Sequence, residues 1–223
     1  MRKTILAAVS FLAIGGVPFA VEASPSVPQG WSGFYAGAHV GGAWLDGDMT
    51  AYTPYNGYTG FSVADLSDSG VAGGLQLGYN YQMGNVVFGI TVDGSLMNLN
   101  KSSTNDAPST PFWRKLDWTA TLAPRLGYSF DDAMVYGKAG LALGGFTVGH
   151  NQNGTNIESS STGTGYVLGA GVEYALAPNW TMDLEYNYMN FGSERINVNG
   201  NPDISIERGG DVHAVNLGLN YRF

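Results

Sequence analysis

Cysteine is absent from this 223-residue sequence, and charged side chains are scarce. Without cysteine, disulfide frameworks, thiolate metal sites and cysteine nucleophiles are all excluded. Charged residues make up 13% of the chain, which is about half the usual share. The 10 Lys and Arg are outnumbered by 18 Asp and Glu, and the resulting net charge of -8 argues against a nucleic-acid partner. Glycine, by contrast, is abundant at 33 residues, and aromatic residues reach 13%.

Long hydrophobic runs are missing from all but the N-terminal part of the chain. After residue 23, no stretch approaches the ~20 apolar residues of a membrane-spanning helix. Residues 1–23 have the pattern of a secretory signal peptide: a positive start at Arg2 and Lys3, an apolar segment, and a small-x-small cleavage site at Val21-Glu22-Ala23. Ala20 offers a second cleavage point. We therefore predict that residues 24–223 form the mature domain.

The C-terminal stretch His213–Phe223 alternates strictly between apolar residues and polar or small ones. A period of two predicts a β-strand with one apolar face. The strand ends on an aromatic ring, which suits the membrane–water boundary of a transmembrane barrel. A single strand cannot stand alone in lipid, because its backbone groups would be unpaired. The apolar set is Val215, Leu217, Leu219, Tyr221 and Phe223.

Seven earlier segments repeat this alternation, and short turns alternate with long polar connections between them. That asymmetry is typical of outer-membrane barrels. We predict an all-β fold, an eight-stranded antiparallel up-and-down transmembrane β-barrel with both termini on the short-turn, periplasmic side. We expect a bulge or a lost ladder bond at Pro124, and a mobile connection around residues 151–161. The seven segments are Gly33–Trp44, Gly70–Gln82, Val86–Asn98, Arg114–Phe130, Met134–Phe146, Thr164–Leu176 and Trp180–Phe191.

Glycine and aromatic residues indicate which face of the strands meets lipid. Soluble eight-stranded barrels also alternate, but they carry the apolar set inside. Here the polar set is rich in glycine, and the interior of an eight-stranded barrel has little room for side chains. We therefore predict that the polar set lines the lumen. Aromatic residues of the apolar set gather beside the short turns and predict a girdle: Tyr79, Tyr81, Phe88, Tyr128, Phe130, Tyr174, Trp180, Tyr221 and Phe223.

Several short motifs follow one another along the chain, among them Trp31-Ser32-Gly33-Phe34-Tyr35, Gly73-Gly74-Leu75-Gln76-Leu77-Gly78-Tyr79, Arg125-Leu126-Gly127-Tyr128 and Asn220-Tyr221-Arg222-Phe223. In their order and spacing they resemble the small outer-membrane β-barrel "porin-family" proteins of Gram-negative bacteria, relatives of the OmpA barrel. The resemblance covers the whole mature chain. It implies that the barrel-assembly machinery recognises Phe223, and that outer-membrane lipid and lipopolysaccharide surround the barrel. It also implies a surface antigen or adhesin, or in some relatives a haemin binder.

Charged residues of the lumen set could in principle form a catalytic carboxylate pair. A more ordinary interpretation is an internal ion-pair network, since buried charges must be paired. We predict such a network, with no enzyme activity, no cofactor and no metal site. His150 could contact haemin, but one histidine is weak evidence, and Asp46 and Asp48 lack an EF-hand loop. The predicted network comprises Asp93, Asp117, Arg125, Lys138, Glu173, Asp183 and Glu185.

Two classes of function remain open at the level of sequence. The first is a structural barrel that supports the envelope and displays four surface loops to host or surface ligands. The second is a small passive pore for ions or small solutes, and a haemin-binding surface protein is a further alternative. A filled lumen favours the first class, because eight strands enclose a space that side chains can fill.

Overall fold

A computed structural model describes residues 30–46, 48–52, 61–65, 68–103, 112–152, 155–192, 194–197, 205–208 and 211–223. The predicted signal peptide, residues 1–23, lies outside this part of the chain. Among the described residues, no helix is long and apolar enough to cross a membrane.

Eight antiparallel strands form a closed barrel, which confirms the fold prediction. The barrel strands are β1 Gly33–Asp46, β4 Asp68–Met83, β5 Val86–Ser103, β6 Phe112–Phe130, β7 Ala133–Gln152, β8 Thr155–Ala177, β9 Trp180–Asn190 and β12 Asp211–Arg222. Their order around the barrel is β1-β12-β9-β8-β7-β6-β5-β4, with β4 pairing to β1. The first and last barrel strands are neighbours, because Tyr35 of β1 pairs with Arg222 of β12.

Exposure alternates along these strands, with the apolar residues outside. In β4, Leu75 and Leu77 are 69% and 60% exposed, whereas Gln76 between them is 9% exposed. A soluble barrel would reverse this pattern and bury its leucines. The outer surface is therefore built to contact an apolar medium, as the glycine-rich inner set predicted.

Four short strands extend the barrel at its long-loop end. They form a second sheet in the order β10-β11-β2-β3, from β2 Asp48–Tyr52, β3 Phe61–Asp65, β10 Glu194–Asn197 and β11 Ser205–Arg208. The β2–β11 pairing keeps the register of β1 and β12: Asp46 pairs with Asp211, and Met49 pairs with Arg208. Residues that were predicted to lie in long polar loops therefore form strands that continue β1 and β12 beyond the long-loop end of the barrel.

The third long connection is also mostly strand. β7 and β8 pair without a register shift as far as Gln152 and Thr155. The segment around residues 151–161, predicted to be part of a mobile loop, is therefore strand in its described part, residues 151–152 and 155–161, and its mobility stays a prediction. Its Asn, Ser, Thr and Gly side chains carry little apolar signal, but the ladder continues because β7 supplies backbone partners for every residue.

Strand β6 contains two irregularities. Its pairing with β7 stops at Leu122 and resumes in the same register at Arg125, which is the ladder interruption expected at Pro124. A bulge at Asp117 shifts the register between Leu116 and Trp118. The extra residue reverses the alternation, so Leu116 is buried at 1% exposure although its sequence parity predicts the lipid face.

Candidate functional site

The middle of the lumen holds a buried ion pair between Arg125 of β6 and Glu173 of β8. An Arg125 guanidinium nitrogen lies 3.2 Å from Glu173 Oε2, and Arg125 Nε donates to Asn80 Oδ1 at 2.9 Å. The guanidinium also lies 4.6 and 4.9 Å from the ring centres of Tyr35 and Tyr136. Two aromatic faces and a carboxylate therefore surround one cation, an arrangement that suits a planar guanidinium.

Lys138 of β7 and Glu185 of β9 form the second buried pair. Lys138 Nζ lies 2.7 Å from Glu185 Oε1, and the two side chains are 2% and 8% exposed. Glu185 also accepts hydrogen bonds from the Tyr136 hydroxyl at 2.8 Å and from Asn187 Nδ2 at 2.7 Å. The carboxylate is thus satisfied on both oxygens, as a buried charge requires.

Glycines that face the lumen leave space for side chains to reach across an intervening strand, as from β7 across β8 to β9. Tyr136 pairs with Gly171, and Gly171 pairs with Glu185, so the Tyr136 ring passes over Gly171 to reach the carboxylate. A Cβ at Gly171 would lie 2.6 Å from the Tyr136 ring. Glycine here provides the space for a close approach, in addition to relieving crowding in a narrow barrel.

Replacing Gly171 with alanine should therefore displace Tyr136 and break its bond to Glu185. We expect a loss of about 2 kcal/mol in the free energy of unfolding, from overpacking and a lost hydrogen bond to a charge. Urea unfolding in lipid vesicles measures this loss. Gly94→Ala is the matched control, because a Cβ at Gly94 meets no atom within 4 Å. Equal stability of the two variants would contradict the crossing role of Gly171.

His39, Ser95 and Asp93 form a separate polar group between β1 and β5. His39 Nε2 lies 3.0 Å from Ser95 Oγ, and His39 Nδ1 lies 3.3 Å from Asp93 Oδ2. This order of groups resembles a nucleophile–base–acid triad. However, Ser95 Oγ also donates to Asp93 Oδ1 at 3.0 Å, and both His39 and Ser95 are more than 90% buried. We interpret the group as an internally satisfied part of the lumen filling.

Among the described residues, Asp183 and Asp117, the two remaining members of the predicted network, have no Lys or Arg partner. Asp183 lies in the lumen, where its Oδ1 accepts from Gln76 at 3.1 Å and from Asn220 at 2.8 Å. Asp117 is exposed, and its Oδ2 accepts from Thr147 Oγ1 at 2.8 Å. The prediction that Asp117 belongs to the lumen network is wrong, because the β6 bulge turns this residue outward.

An apolar cluster lies inside the barrel at the short-turn end. Trp31 is 1% exposed and packs with Val87, Met134 and Tyr136. The Trp31 backbone N–H donates to Gln82 Oε1 at 2.6 Å, and the Arg222 guanidinium lies 5.1 Å from the Trp31 ring. Residues 30–32, directly before β1, thus place the Trp31 ring in the barrel mouth, and we call Trp31 with its apolar contacts the Trp31 plug.

A larger apolar cluster fills the lumen toward the long-loop end, above the polar layer. We call it the upper cap. The cluster contains both alanines and large apolar side chains. The alternation pattern gives these residues the same inward direction as the polar lumen residues, so it does not separate the two layers. The signal available in the sequence was the replacement of polar inner residues by Ala, Leu, Met and Phe near each long connection. Its buried members are Ala43, Leu45, Ala72, Met97, Leu99, Leu116, Ala123, Ala142, Phe146, Val167, Met189, Val212 and Ala214.

The predicted girdle residues lie on the outer surface at the short-turn end, with exposures from 38% for Tyr221 to 75% for Phe223. Edge contacts link neighbours within this belt, including Trp180 with Tyr221 at 5.2 Å between ring centres. Phe223 is held by its backbone, whose N–H donates to Phe34 O at 3.0 Å.

At the opposite end, His213 occupies an outward-facing aromatic group. Its ring stacks on Trp44 at 5.6 Å and lies 5.3 Å from Tyr188. The hydroxyl of Tyr186 lies 2.7 Å from His213 Nδ1, and Asp46 Oδ2 lies 3.6 Å from Nε2. This group joins β1, β9 and β12 where the second sheet begins.

The sequence offers Asp46 and Asp48 as candidate cation ligands and His150 as a candidate haemin contact. In the described part of the chain, no group of three or more His, Asp or Glu side chains is arranged to hold a metal ion. Asp46 contacts His213, whereas the Asp48 and His150 side chains lie outside the described part.

Comparison with known proteins identifies the family. Residues 5–223 match the family model described as "Outer membrane protein beta-barrel domain". The "31 kDa outer-membrane immunogenic protein" of Brucella melitensis is 31% identical over 242 residues, covering all of both chains. The "22 kDa outer membrane protein" of Rhizobium leguminosarum is 31% identical over 203 residues, which is 91% of this chain and 83% of that one.

Among solved structures, the outer membrane protein OprG of Pseudomonas aeruginosa shares the fold. Its TM-score is 0.55 at 15% identity, with 87% of this chain and 99% of that chain covered. The matching family model, the full-length relative and the outward apolar surface agree. This chain belongs to the outer membrane protein β-barrel family and is a protein of the Gram-negative outer membrane.

Proposed function

We propose that this protein is a structural component of the outer membrane that seals its own lumen and displays β-structure at the cell surface. The observation that supports the proposal is the presence of buried side chains at three levels of the lumen. The Trp31 plug lies at one end, the Arg125–Glu173 and Lys138–Glu185 pairs occupy the middle, and the upper cap lies at the other end. Such an interior supports neither a pore nor a catalytic centre open to substrate.

The proposed orientation places both termini and the short turns in the periplasm. Strand lengths support it. A membrane-spanning strand needs about 9–11 residues, whereas β7 and β8 have 20 and 23 residues. The surplus lies at the long-loop end, so that end projects beyond the membrane. Long connections of outer-membrane barrels face the outside of the cell.

Surface display is the second part of the proposal. Relatives of this chain carry the name "outer-membrane immunogenic protein", which suits a barrel whose extended hairpins are accessible to antibodies and to host or surface ligands. Outer-membrane lipid and lipopolysaccharide would contact the outward apolar set and the aromatic residues at its two ends.

Deleting the gene should weaken the outer membrane as a barrier. We expect greater uptake of a hydrophobic dye and greater sensitivity to detergent, both restored by the wild-type protein. A Gly171→Ala variant expressed at wild-type level should restore the barrier less well, because the barrel is less stable. Normal barrier function in the deletion strain would contradict the structural role.

We further propose that Phe223 acts as the assembly signal. The residue is 75% exposed, and its contacts are an edge contact with the Tyr221 ring and one backbone hydrogen bond to Phe34. Deleting Phe223 should therefore reduce membrane insertion in cells several-fold, while the purified protein refolds in detergent with a loss of stability below about 1 kcal/mol. Quantitative blotting of outer-membrane fractions measures the first effect, and urea unfolding measures the second. Unchanged membrane levels would contradict the signal.

A further inference from the structure

The part of the molecule above the barrel divides into two separate sheets. The first is the β10-β11-β2-β3 sheet. The second continues β5, β6, β7 and β8, with β7 and β8 the longest. The two sheets separate beside β8, because its pairing with β9 ends at Tyr166 and Asn190. Within the described residues, Thr155–Gly165 of β8 pairs only with β7.

Within the described residues, this leaves β8 with an unpaired edge of 11 residues, Thr155–Gly165, and the Asn190–Phe191 backbone lies beside Gly165 at its lower end. At about 3.3 Å per residue, the edge is roughly 36 Å long. Every residue from Glu158 to Thr162 is exposed, so neither face of the strand is covered there. The backbone N–H and C=O groups on this edge form a template for another strand.

In the part of the chain that the structure describes, this edge lacks the features that usually block strand addition. The segment contains no proline, lysine or arginine, and its pairing with β7 has no bulge. Its side chains from Ser159 to Gly165 are only Ser, Thr and Gly, which leave room for an incoming strand. The only charge on the edge is Glu158.

We propose that the β8 edge binds an extended, basic segment of a partner polypeptide by strand addition. Backbone hydrogen bonds would supply the affinity, and Glu158 would favour a Lys or Arg across from it. The partner strand would run antiparallel to β8, the more stable arrangement. The proposal rests on the external placement of this end of the barrel.

A second copy of the chain fits the same edge less well. Two barrels upright in one membrane are related by an axis along the membrane normal, so their β8 edges would run parallel. Parallel pairing is slightly less stable per residue, and in register it would place Glu158 beside Glu158. Like charges directly opposite are destabilising.

The test uses the full-length mature protein in lipid nanodiscs and a ten-residue peptide of alternating lysine and valine. We expect the peptide to slow amide hydrogen exchange in residues 158–165. A peptide with alternate N-methylated backbone groups should not bind, because it cannot donate to the edge. A glutamate–valine peptide should bind more weakly, and Glu158→Lys should weaken binding of the lysine peptide by about threefold, as for an exposed ion pair.

Ser161→Pro and Thr162→Pro test the backbone directly. Successive N–H groups of a strand point to opposite sides, so one of the two variants removes an outward donor and should lose peptide binding while retaining barrel stability. Wild-type peptide binding by both variants would overturn the proposal. Slow amide hydrogen exchange of this edge without peptide, together with a stable dimer in native mass spectrometry, would also overturn the proposal, because it would assign the edge to a second copy.

The orientation is tested separately by labelling a Ser160→Cys variant on intact cells.

Discussion

Replacing Lys138 with alanine is expected to lower the free energy of unfolding by about 3 kcal/mol, since breaking a buried ion pair leaves an uncompensated charge. Lys138 Nζ lies 2.7 Å from Glu185, and neither side chain has substantial contact with solvent. The Tyr136 and Asn187 hydrogen bonds to Glu185 remain, but they do not neutralise the carboxylate. Urea unfolding in lipid vesicles, followed by far-ultraviolet circular dichroism, measures the loss.

A double variant separates lost charge pairing from lost packing. Lys138→Met keeps most of the side-chain volume but leaves Glu185 charged, so it should also be destabilised. Adding Glu185→Gln removes that charge while its amide oxygen still accepts from Tyr136. The double variant should recover at least half of the loss. A double variant as unstable as Lys138→Met would contradict the ion-pair explanation.

Replacing Trp31 with alanine should cost about 3–5 kcal/mol, the range for removing a large buried aromatic side chain. Trp31 is 1% exposed and fills the barrel mouth beside Val87 and Met134. Its removal also takes away the ring beneath the Arg222 guanidinium. The same unfolding measurement applies, and water access to the lumen from the periplasmic end should increase.

Two further variants serve as controls for Trp31→Ala. Trp31→Phe retains an aromatic ring in the mouth and should lose less than half as much stability. Trp180→Ala removes a tryptophan at the same end of the barrel, but one that is 43% exposed on the outer surface. A loss for Trp31→Ala no larger than that for Trp180→Ala would contradict the plug.

Strand number, strand direction and the inward side were predictable from the sequence because alternation has a fixed period of two. A one-residue slip in β4 would place Gln76 in lipid and Leu75 in the lumen, so the register is strongly specified. The glycine-rich set also predicted the lumen face correctly. The contact of Tyr136 across Gly171 could not be predicted, because it depends on the register between β7, β8 and β9. Alternation within a single strand carries no information about that register.

Predictions failed where tertiary pairing overrides local signals. The β7–β8 extension is rich in Ser, Thr and Asn, but a continuous ladder orders it. The bulge at Asp117 reverses the parity of β6 without proline or glycine to mark it. The upper cap was missed because inner Ala and Leu residues occur on separate strands, and only closure of the barrel brings them together.

Single-channel recording in planar lipid bilayers tests the sealed lumen most directly. The purified wild-type protein should show no steady open level, because the plug, the ion pairs and the cap fill the interior in series. Trp31→Ala combined with Lys138→Ala should show brief, irregular openings. Large, steady and ohmic currents from the wild-type protein would contradict the sealed barrel and support the pore.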